Sequence, residues 1–417
     1  MWLIKKIIRW WLGGSNFPMV HVEKFLAYKP ENIFVFLGSL IKNLVYHPLR
    51  RRLAKYYLLF LKKVFGLKIV AITGSAGKTS TKEMIYSILS LSGKTQKTYK
   101  NIDPIYNIPS TILSTSPYTK YLILEMSVEY PGEMDFYLWL AKPDIAVITN
   151  IYPTHLEFLK SVEGVSKEKS KLIKCLTPTD WAVLNSENSF TRSFKNYTRA
   201  KVVYYGDKGF IKAKKISYTK DMKTKFTLYV GKDKKVVRLP MLGRQYVSNA
   251  LAAAGVCHLL GSSLEDIKRG LENLIPPEHR MTPVLLKSGT VVFDDSYNNN
   301  PEAAKIALNL FSALSKGKKK IVVMGEMREL GGFEEKYHRE IGKTIGNLKL
   351  DLFIGIGLAM KYSVQEASKR ISPEKIIWLK TWEGAYRYLK KYLKKDTYIL
   401  IKGSRSLNLD CLVSKLS

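Results

Sequence analysis

The chain has 417 residues, room for two or three domains, and its 46% hydrophobic content is enough to build cores, which excludes a disordered protein. The formal net charge of +33 favours anionic partners such as nucleotides, phosphosugars, nucleic acid or an acidic membrane surface, unless it is only the lysine-rich habit of a whole proteome. Cys175, Cys257 and Cys411 lie far apart and form no CxxC, which argues against a disulfide framework and a cysteine-built metal site and points to a reducing cytosol.

Residues 1–66 differ from the rest. "MWLIKKIIRWWLGG" is apolar but carries Lys5, Lys6 and Arg9. "IFVFLGSLIKNLVYHPLRRRLAKYYLLFLKKVFGLK" alternates aromatic and aliphatic clusters with basic residues. No run reaches the ~18 uninterrupted apolar residues of a spanning helix. No small-residue cleavage site marks a signal peptide. The expectation is a short, basic helical segment that lies on an anionic membrane or packs on the next domain or a partner.

After Lys68 the text becomes strand–turn–helix. "LKIVAIT" fits a buried parallel strand, and "KTSTKEMIYSILSLSG" has helical spacing that ends at a glycine. "YLILEMS", "PDIAVITNI" and "DWAVLN" are further strands, with helical "EGVSKEKSKLIKCL" between the last two. Short alternating strands from Lys201 to Leu242 form a β-rich flank, and "SNALAAAGVCHLLG" is an alanine-rich helix. The prolines of "IPPEHRM" mark a boundary. A second α/β pattern follows, with strands in "GTVVFDDSY", "KKIVVMGEM", "LDLFIGIG" and "TYILIKGSR" and a helix in "PEAAKIALNLFSAL". The fold class is therefore α/β. A P-loop central domain (67–277) carries a doubly wound, mostly parallel sheet. A Rossmann-like domain (278–417) follows it, and the segment 1–66 precedes it.

"AITGSAGKTS" (71–80) is the strongest chemical signal. Successive amides in a glycine-rich turn at a helix start form an anion nest. Lys78 would reach the β- and γ-phosphates and Thr79 would hold Mg²⁺. Ile72 stands where the longer loop pattern has a glycine. The strand before and the helix after supply the context that the motif needs. Ligands of open α/β sheets bind at carboxyl ends of strands. Glu125 is at such an end and Asp144 is not, so Glu125 is the better metal ligand. His155, past another strand end beside Asn150, joins the same edge.

These residues resemble the Mur ligase family, ATP-dependent amide-forming enzymes of cell-wall assembly. "TGSAGKTS" is similar to its T-G-[ST]-x-G-K-T-[ST], a loop without the first glycine. "LEMSVEYPGEM", "TNIYPTHLEFLKSVEGVSKEKSKL", "LGRQYVSNALAAAG", "FDDSYNNNPEAAKIAL", "GEMRELGGFEEKYHREIG" and "IKGSRSLNLD" resemble further family segments, in family order. The likeness spans about residues 67–410.

The resemblance implies roles position by position. Gly74, Ser75, Ala76, Gly77, Lys78, Thr79 and Ser80 would cradle the ATP phosphates. Thr79 and Glu125 would hold one Mg²⁺, and Glu125, His155 and a CO₂-carbamylated Lys169 a second. Lys78, His155 and Lys169 are the catalytic candidates. Asn249 would meet the adenine side. Arg280, Asp295 and Asn298 would reach the nucleotide as domains close, and Lys402 to Arg405 would lie near the incoming amine. Lys169 is promoted only by the resemblance, because alone it reads as a solvated lysine on a charged helix.

Departures are also implied. Lys171 replaces an acidic residue, Gln245 and Tyr246 replace His-Asn, and Asp103, Pro104 and Asn107 replace Asn, Asn and Gly in "NIDPIYNIPST", near the family's acceptor. Residues 1–66 do not look like a UDP-sugar domain, which leaves a lipid-linked or otherwise altered acceptor open. The implied reaction activates an acceptor carboxylate, of the UDP-MurNAc-peptide type, as an acyl phosphate and joins it to an amino acid or D-Ala-D-Ala. The partners are ATP, an anionic cell-wall precursor and that amine; nucleic acid is not expected. The implied setting is a cytoplasmic monomer, with contact at the inner face of the membrane through residues 1–66. Two alternatives stand beside it: another ligase of the superfamily, of pseudomurein-peptide or folylpolyglutamate type, and a basic P-loop ATPase or scaffold. "GEMRELG" speaks against the folate type. The scaffold would not need the His155 segment, "DDSYNNNP" or "KGSR".

Overall fold

The computed structural model describes residues 2–27, 33–99 and 102–417; Asn101, in the acceptor-like segment, lies outside them. Four helices come first: α1 (Trp2–Gly13), α2 (Val20–Ala27), α3 (Ile33–Ile41) and, after a π-helical turn at Lys42–Tyr46, α4 (His47–Phe65). The next unit runs β1 (Lys68–Thr73), α5 (Lys78–Leu89), β2 (Thr95–Lys97), α6 (Pro104–Leu113), β3 (Tyr121–Glu125), α7 (Glu133–Leu140) and β4 (Ile145–Ile148). It continues with α8 (Leu156–Leu159), α9 (Val162–Lys174), β5 (Trp181–Asn185), α10 (Ser189–Ser193), β6 (Lys201–Tyr205), β7 (Ile211–Tyr218), β8 (Thr224–Val230), β9 (Asp233–Leu239), α11 (Arg244–Leu259) and α12 (Leu264–Glu272). The last unit holds β10 (Thr282–Leu285), β11 (Val291–Asp295), α13 (Pro301–Leu314), β12 (Lys319–Gly325), α14 (Glu334–Gly346), β13 (Leu352–Ile356), α15 (Met360–Ala367), β14 (Ile376–Leu379), α16 (Ala385–Leu389), β15 (Thr397–Lys402) and α17 (Leu409–Leu416).

Nine strands form one sheet in the order β2-β3-β1-β4-β5-β6-β7-β8-β9. Pairing is parallel from β2 to β7 and antiparallel from β7 to β9. The chemistry of the strands explains the split. β4 is buried along its whole length, as β1 and β3 nearly are, because helices cover both faces of a parallel sheet. In β8 buried residues alternate with more exposed ones, as in an antiparallel sheet with one wet face. The second sheet has the order β10-β11-β15-β12-β13-β14, with only β10 antiparallel.

Register positions the functional side chains. Ile72 pairs with Glu125, so the carboxylate at the end of β3 lies beside the start of the phosphate loop. Asp295 pairs with Lys402, so the two strand ends present opposite charges side by side. The capping residues fit their helices. Ser161 Oγ accepts from the Gly164 amide at 3.1 Å to start α9, and Asn300 Oδ1 accepts from Ala303 at 2.9 Å to start α13, with Pro301 in its first turn.

The N-terminal helices pack on the first unit through one face of α4, where Arg51, Ala54, Leu58 and Leu61 are buried. Arg51 donates to the Leu12 carbonyl at 2.7 Å and lies 4.7 Å from the Phe17 ring centre. Arg52 donates to the Trp10 carbonyl at 2.6 Å, and Lys62 pairs with Asp144 at 3.2 Å. Several of the basic residues here therefore hold helices together. Among the described residues no helix is long and apolar enough to cross a membrane.

Candidate active site

The loop after β1 is held from three sides. Thr73 Oγ1 donates to the Met126 carbonyl at 2.6 Å, which ties β1 to the end of β3. Asn150 Oδ1 accepts from the Ala76 amide at 2.8 Å, and its Nδ2 donates to the Ala76 carbonyl at 3.1 Å. Thr149 Oγ1 donates to the same carbonyl at 2.6 Å. Glycine is required at two points. Gly74 has φ +148°, and a Cβ there would stand 1.9 Å from Thr149 Oγ1; Gly77 has φ +82°, and its Cβ would stand 2.4 Å from Asn249 Oδ1. The strand before this turn ends at Thr73, which is fully buried.

First-turn amides of α5 have no acceptor within their own helix, which leaves donors at the cavity for an anion. Lys78 Nζ donates to the Gly74 carbonyl at 2.9 Å, folded back on its own loop. Burial lowers its pKa; Glu125 opposes that effect and Arg280 adds to it. Thr79 Oγ1 donates to Glu125 Oε1 at 3.1 Å. The second oxygen of Glu125 has no hydrogen bond among the described residues, although the buried Lys82 Nζ lies 3.3 Å away. A hydroxyl and an under-used carboxylate side by side are a hard-oxygen donor set that fits Mg²⁺. Asp144, by contrast, accepts from the Ile69 amide at 2.7 Å at the opposite end of β1.

His155 opens α8 with φ 54°, in the left-handed region. Its Nδ1 faces Glu329 Oε2, from the loop after β12. One ligand atom each from Glu129, His155 and Glu329 gather within 4.8 Å of one another. The two units touch here through backbone as well: the Glu157 amide donates to the Glu329 carbonyl at 3.1 Å. Glu129 lies four residues after Glu125, and Glu329 is the acid of "GEMRELG"; neither is among the residues singled out from sequence.

Lys169 is 1% exposed, on α9. Burial, then the neighbouring Lys78, hold its pKa well below the usual lysine range, against the pull of Glu133 and Glu168. The ion pairs of this helix go to Lys171, whose Nζ lies 2.6 Å from both Asp135 and Glu168. Glu168 also accepts from the Gly132 and Met134 amides at the start of α7. Lys171, which departs from the family pattern, thus joins two acids. Burial that lowers an amine's pKa favours the neutral form that can attack CO₂, and a carbamate there would exchange a repelling cation for an anionic oxygen ligand.

The second sheet supplies the facing wall. Lys402 Nζ contacts Asp295 Oδ2 at 2.7 Å and the Asn298 carbonyl at 2.9 Å. Arg280 lies over the Tyr297 ring at 4.0 Å. Arg405 turns away to Asp410 at 2.8 Å. His338, the histidine after "GEMRELG", is buried; burial lowers its pKa, and its Nε2 accepts from the Met327 amide at 3.0 Å. It shapes the loop that presents Glu329.

These walls enclose a cavity of about 1010 Å³. Ser75, Ala76, Gly77, Lys78, Thr79, Ser80, Glu125, His155, Asn249, Arg280, Asp295, Asn298 and Lys402 all line it. Asp103, Pro104 and Asn107 line it too, and Asp103 Oδ1 accepts from the Ile105 amide at 3.0 Å to start α6. Gly74 and Lys169 stand outside the lining, Gly74 at the loop's root and Lys169 near enough to Lys78 for that charge to help lower the Lys169 pKa.

Comparison with known proteins places this geometry. Residues 72–257 match the Mur ligase middle domain, and residues 279–405 match the Mur ligase, glutamate ligase domain. The UDP-N-acetylmuramoyl-tripeptide–D-alanyl-D-alanine ligase of Buchnera aphidicola subsp. Baizongia pistaciae is 34% identical over 84% of this chain and 75% of its own length. The enzyme of that name from Bacillus subtilis is 30% identical over 88% of this chain and 78% of its own. A crystal structure of MurF from Acinetobacter baumannii superposes with a TM-score of 0.82 at 27% identity, covering 91% of this chain and 87% of that one. With both domains matched in order on the two sheets that wall the cavity, the chain belongs to the Mur ligase family of ATP-dependent acid–amino-acid ligases.

Proposed function

We propose that this enzyme joins D-alanyl-D-alanine, or an amino acid, to the carboxylate of a UDP-MurNAc-peptide-like acceptor during peptidoglycan precursor synthesis. The carrying observation is that the phosphate loop with Thr79 and Glu125 shares one cavity with Arg280, Asp295 and Lys402 of the second sheet. Relatives that bear this activity in their names support the choice of substrates.

ATP would lie with its phosphates on residues 74–80 and its adenine toward Asn249. An acceptor carboxylate oxygen attacks the γ-phosphorus, the bond to the β-phosphate oxygen breaks, and ADP leaves. Lys78 exchanges the Gly74 carbonyl for phosphate oxygens and, with the first-turn amides of α5, offsets the transferring charge. The amine nitrogen then attacks the acyl carbon, the carbon–oxygen bond breaks, phosphate leaves, and the amine loses its proton. Arg280, Asp295, Asn298 and Lys402 close over the nucleotide and exclude water, which would otherwise consume the acyl phosphate. Thr79 and Glu125 would hold one Mg²⁺, and Glu125, His155 and carbamylated Lys169 a second; bound metal supplies charge neutralisation on the phosphoryl oxygens. Glu129 and Glu329 bring two more carboxylates to the His155 side.

In this reading residues 1–66, 67–277 and 278–417 act as separate units of a monomer. The enzyme works in the cytoplasm, and residues 1–66 bring it to the inner face of the membrane. The test uses purified protein, ATP, Mg²⁺, a UDP-MurNAc-tripeptide and D-Ala-D-Ala. Phosphate release should require acceptor and amine together and yield a product of the summed mass less water. Release independent of both would end the ligase reading.

A further inference from the structure

α4 has two apolar faces, and only one is used. Arg51, Ala54, Leu58 and Leu61 are buried on the first unit. On the other side Leu49, Leu53, Tyr56, Phe60 and Val64 recur at helical spacing, and Ile41 extends the row; all six are 48–66% exposed. α3 leads through the π-helical turn into α4, has no buried residue, and exposes Ile33 and Leu37. A contiguous exposed apolar surface of this kind marks an interaction site.

The charge around it selects the partner. Residues 33–66 contain no Asp or Glu. Lys42 sits exposed near one end of the row and Lys63 near the other. Tyr46, exposed near the Lys42 end, adds a half-polar ring. Large aliphatic side chains framed by lysines and aromatics, with no acid between them, fit acyl chains below and anionic headgroups around.

We propose that the α3–α4 face docks on an anionic lipid bilayer. This rests on the membrane contact proposed above and gives it a surface and a lipid class. The buried side of α4 backs the catalytic unit. Tyr57 on this helix donates to the Thr115 carbonyl at 2.7 Å, just past α6. Asp103, which caps α6, lines the cavity. His21 on α2 meets Glu133 at 2.8 Å, and Glu133 lines the cavity too. A docked enzyme would therefore hold the Asp103 and Glu133 side of its cavity about two helix layers, roughly 20 Å, from the headgroups.

The test is co-sedimentation of the full chain with phosphatidylglycerol–phosphatidylcholine vesicles and with phosphatidylcholine vesicles alone. Binding should favour the anionic vesicles and weaken as salt is added. Leu53→Glu with Phe60→Glu, both exposed, should weaken binding at least about tenfold while melting temperature and turnover of soluble substrates stay unchanged. Lys42→Glu with Lys63→Glu should remove the preference for anionic vesicles. Binding to neither vesicle overturns the membrane contact itself. Equal binding to both overturns the choice of anionic lipid. Full binding by the Leu53/Phe60 variant, or a lipid-free dimer that this variant dissolves, overturns the face. Lipid-free turnover, read on the same preparations, keeps these outcomes apart from failure of the ligase reading.

Discussion

The two walls of the cavity are built by different means. The wall from the first sheet is locked before any ligand arrives: Ala76 is hydrogen-bonded through both its amide and its carbonyl, and the glycines at 74 and 77 are wedged against Thr149 and Asn249. The wall from the second sheet is held by charge. Lys402 meets Asp295, and Glu329 reaches across to His155. A preorganised wall suits the phosphates, whose geometry is the same in every turnover. A wall held by ion pairs can part and re-form, as substrate entry and release require.

Changes to the locked wall should cost most. Lys78→Ala removes the side chain proposed to follow the γ-phosphate, and kcat should fall about 1000-fold, read as phosphate release at saturating substrates. Lys169→Ala should lower kcat about 100-fold, and added bicarbonate should not restore it. A fully active variant would remove Lys169 from the site. Gly74→Ala forces a Cβ onto Thr149 and a strained φ, and should destabilise the fold by about 1–3 kcal/mol, seen as a lower melting temperature. The charge-held wall should be more forgiving. Glu329→Gln should lower kcat/KM about tenfold while ADP affinity, measured by calorimetry, stays unchanged. An equal loss of ADP affinity would mean that this contact shapes the locked wall as well.

The same contrast explains what was legible in the sequence. "TGSAGKTS" carried its own meaning because a nest needs contiguous residues, and a buried strand and a helix flank it. Glu125 could be placed because strand ends converge at one edge. Asp295, Asn298 and Lys402 were matched to family motifs, and register explains why Asp295 and Lys402 meet. Glu329 was not found as a site residue, since its partner His155 lies in the other unit and only the packing of the two units joins them. Glu129 was hidden in the same way. Lys169 sits among Lys167, Lys171 and Lys174 and reads as a solvated face; its burial comes from how α9 packs, which periodicity does not weigh. The N-terminal helices were visible as apolar and basic, but which arginines would be spent on helix packing was not.

The central claim is that both walls act on one acyl phosphate. It can be tested by following oxygen. An acceptor labelled with ¹⁸O in its reactive carboxylate is turned over with ATP and D-Ala-D-Ala, and the released phosphate is weighed by mass spectrometry. The account predicts one ¹⁸O in each phosphate, because the bridging oxygen of the acyl phosphate comes from the carboxylate and leaves with phosphorus. Phosphate free of label, formed alongside product or without it, would contradict the account.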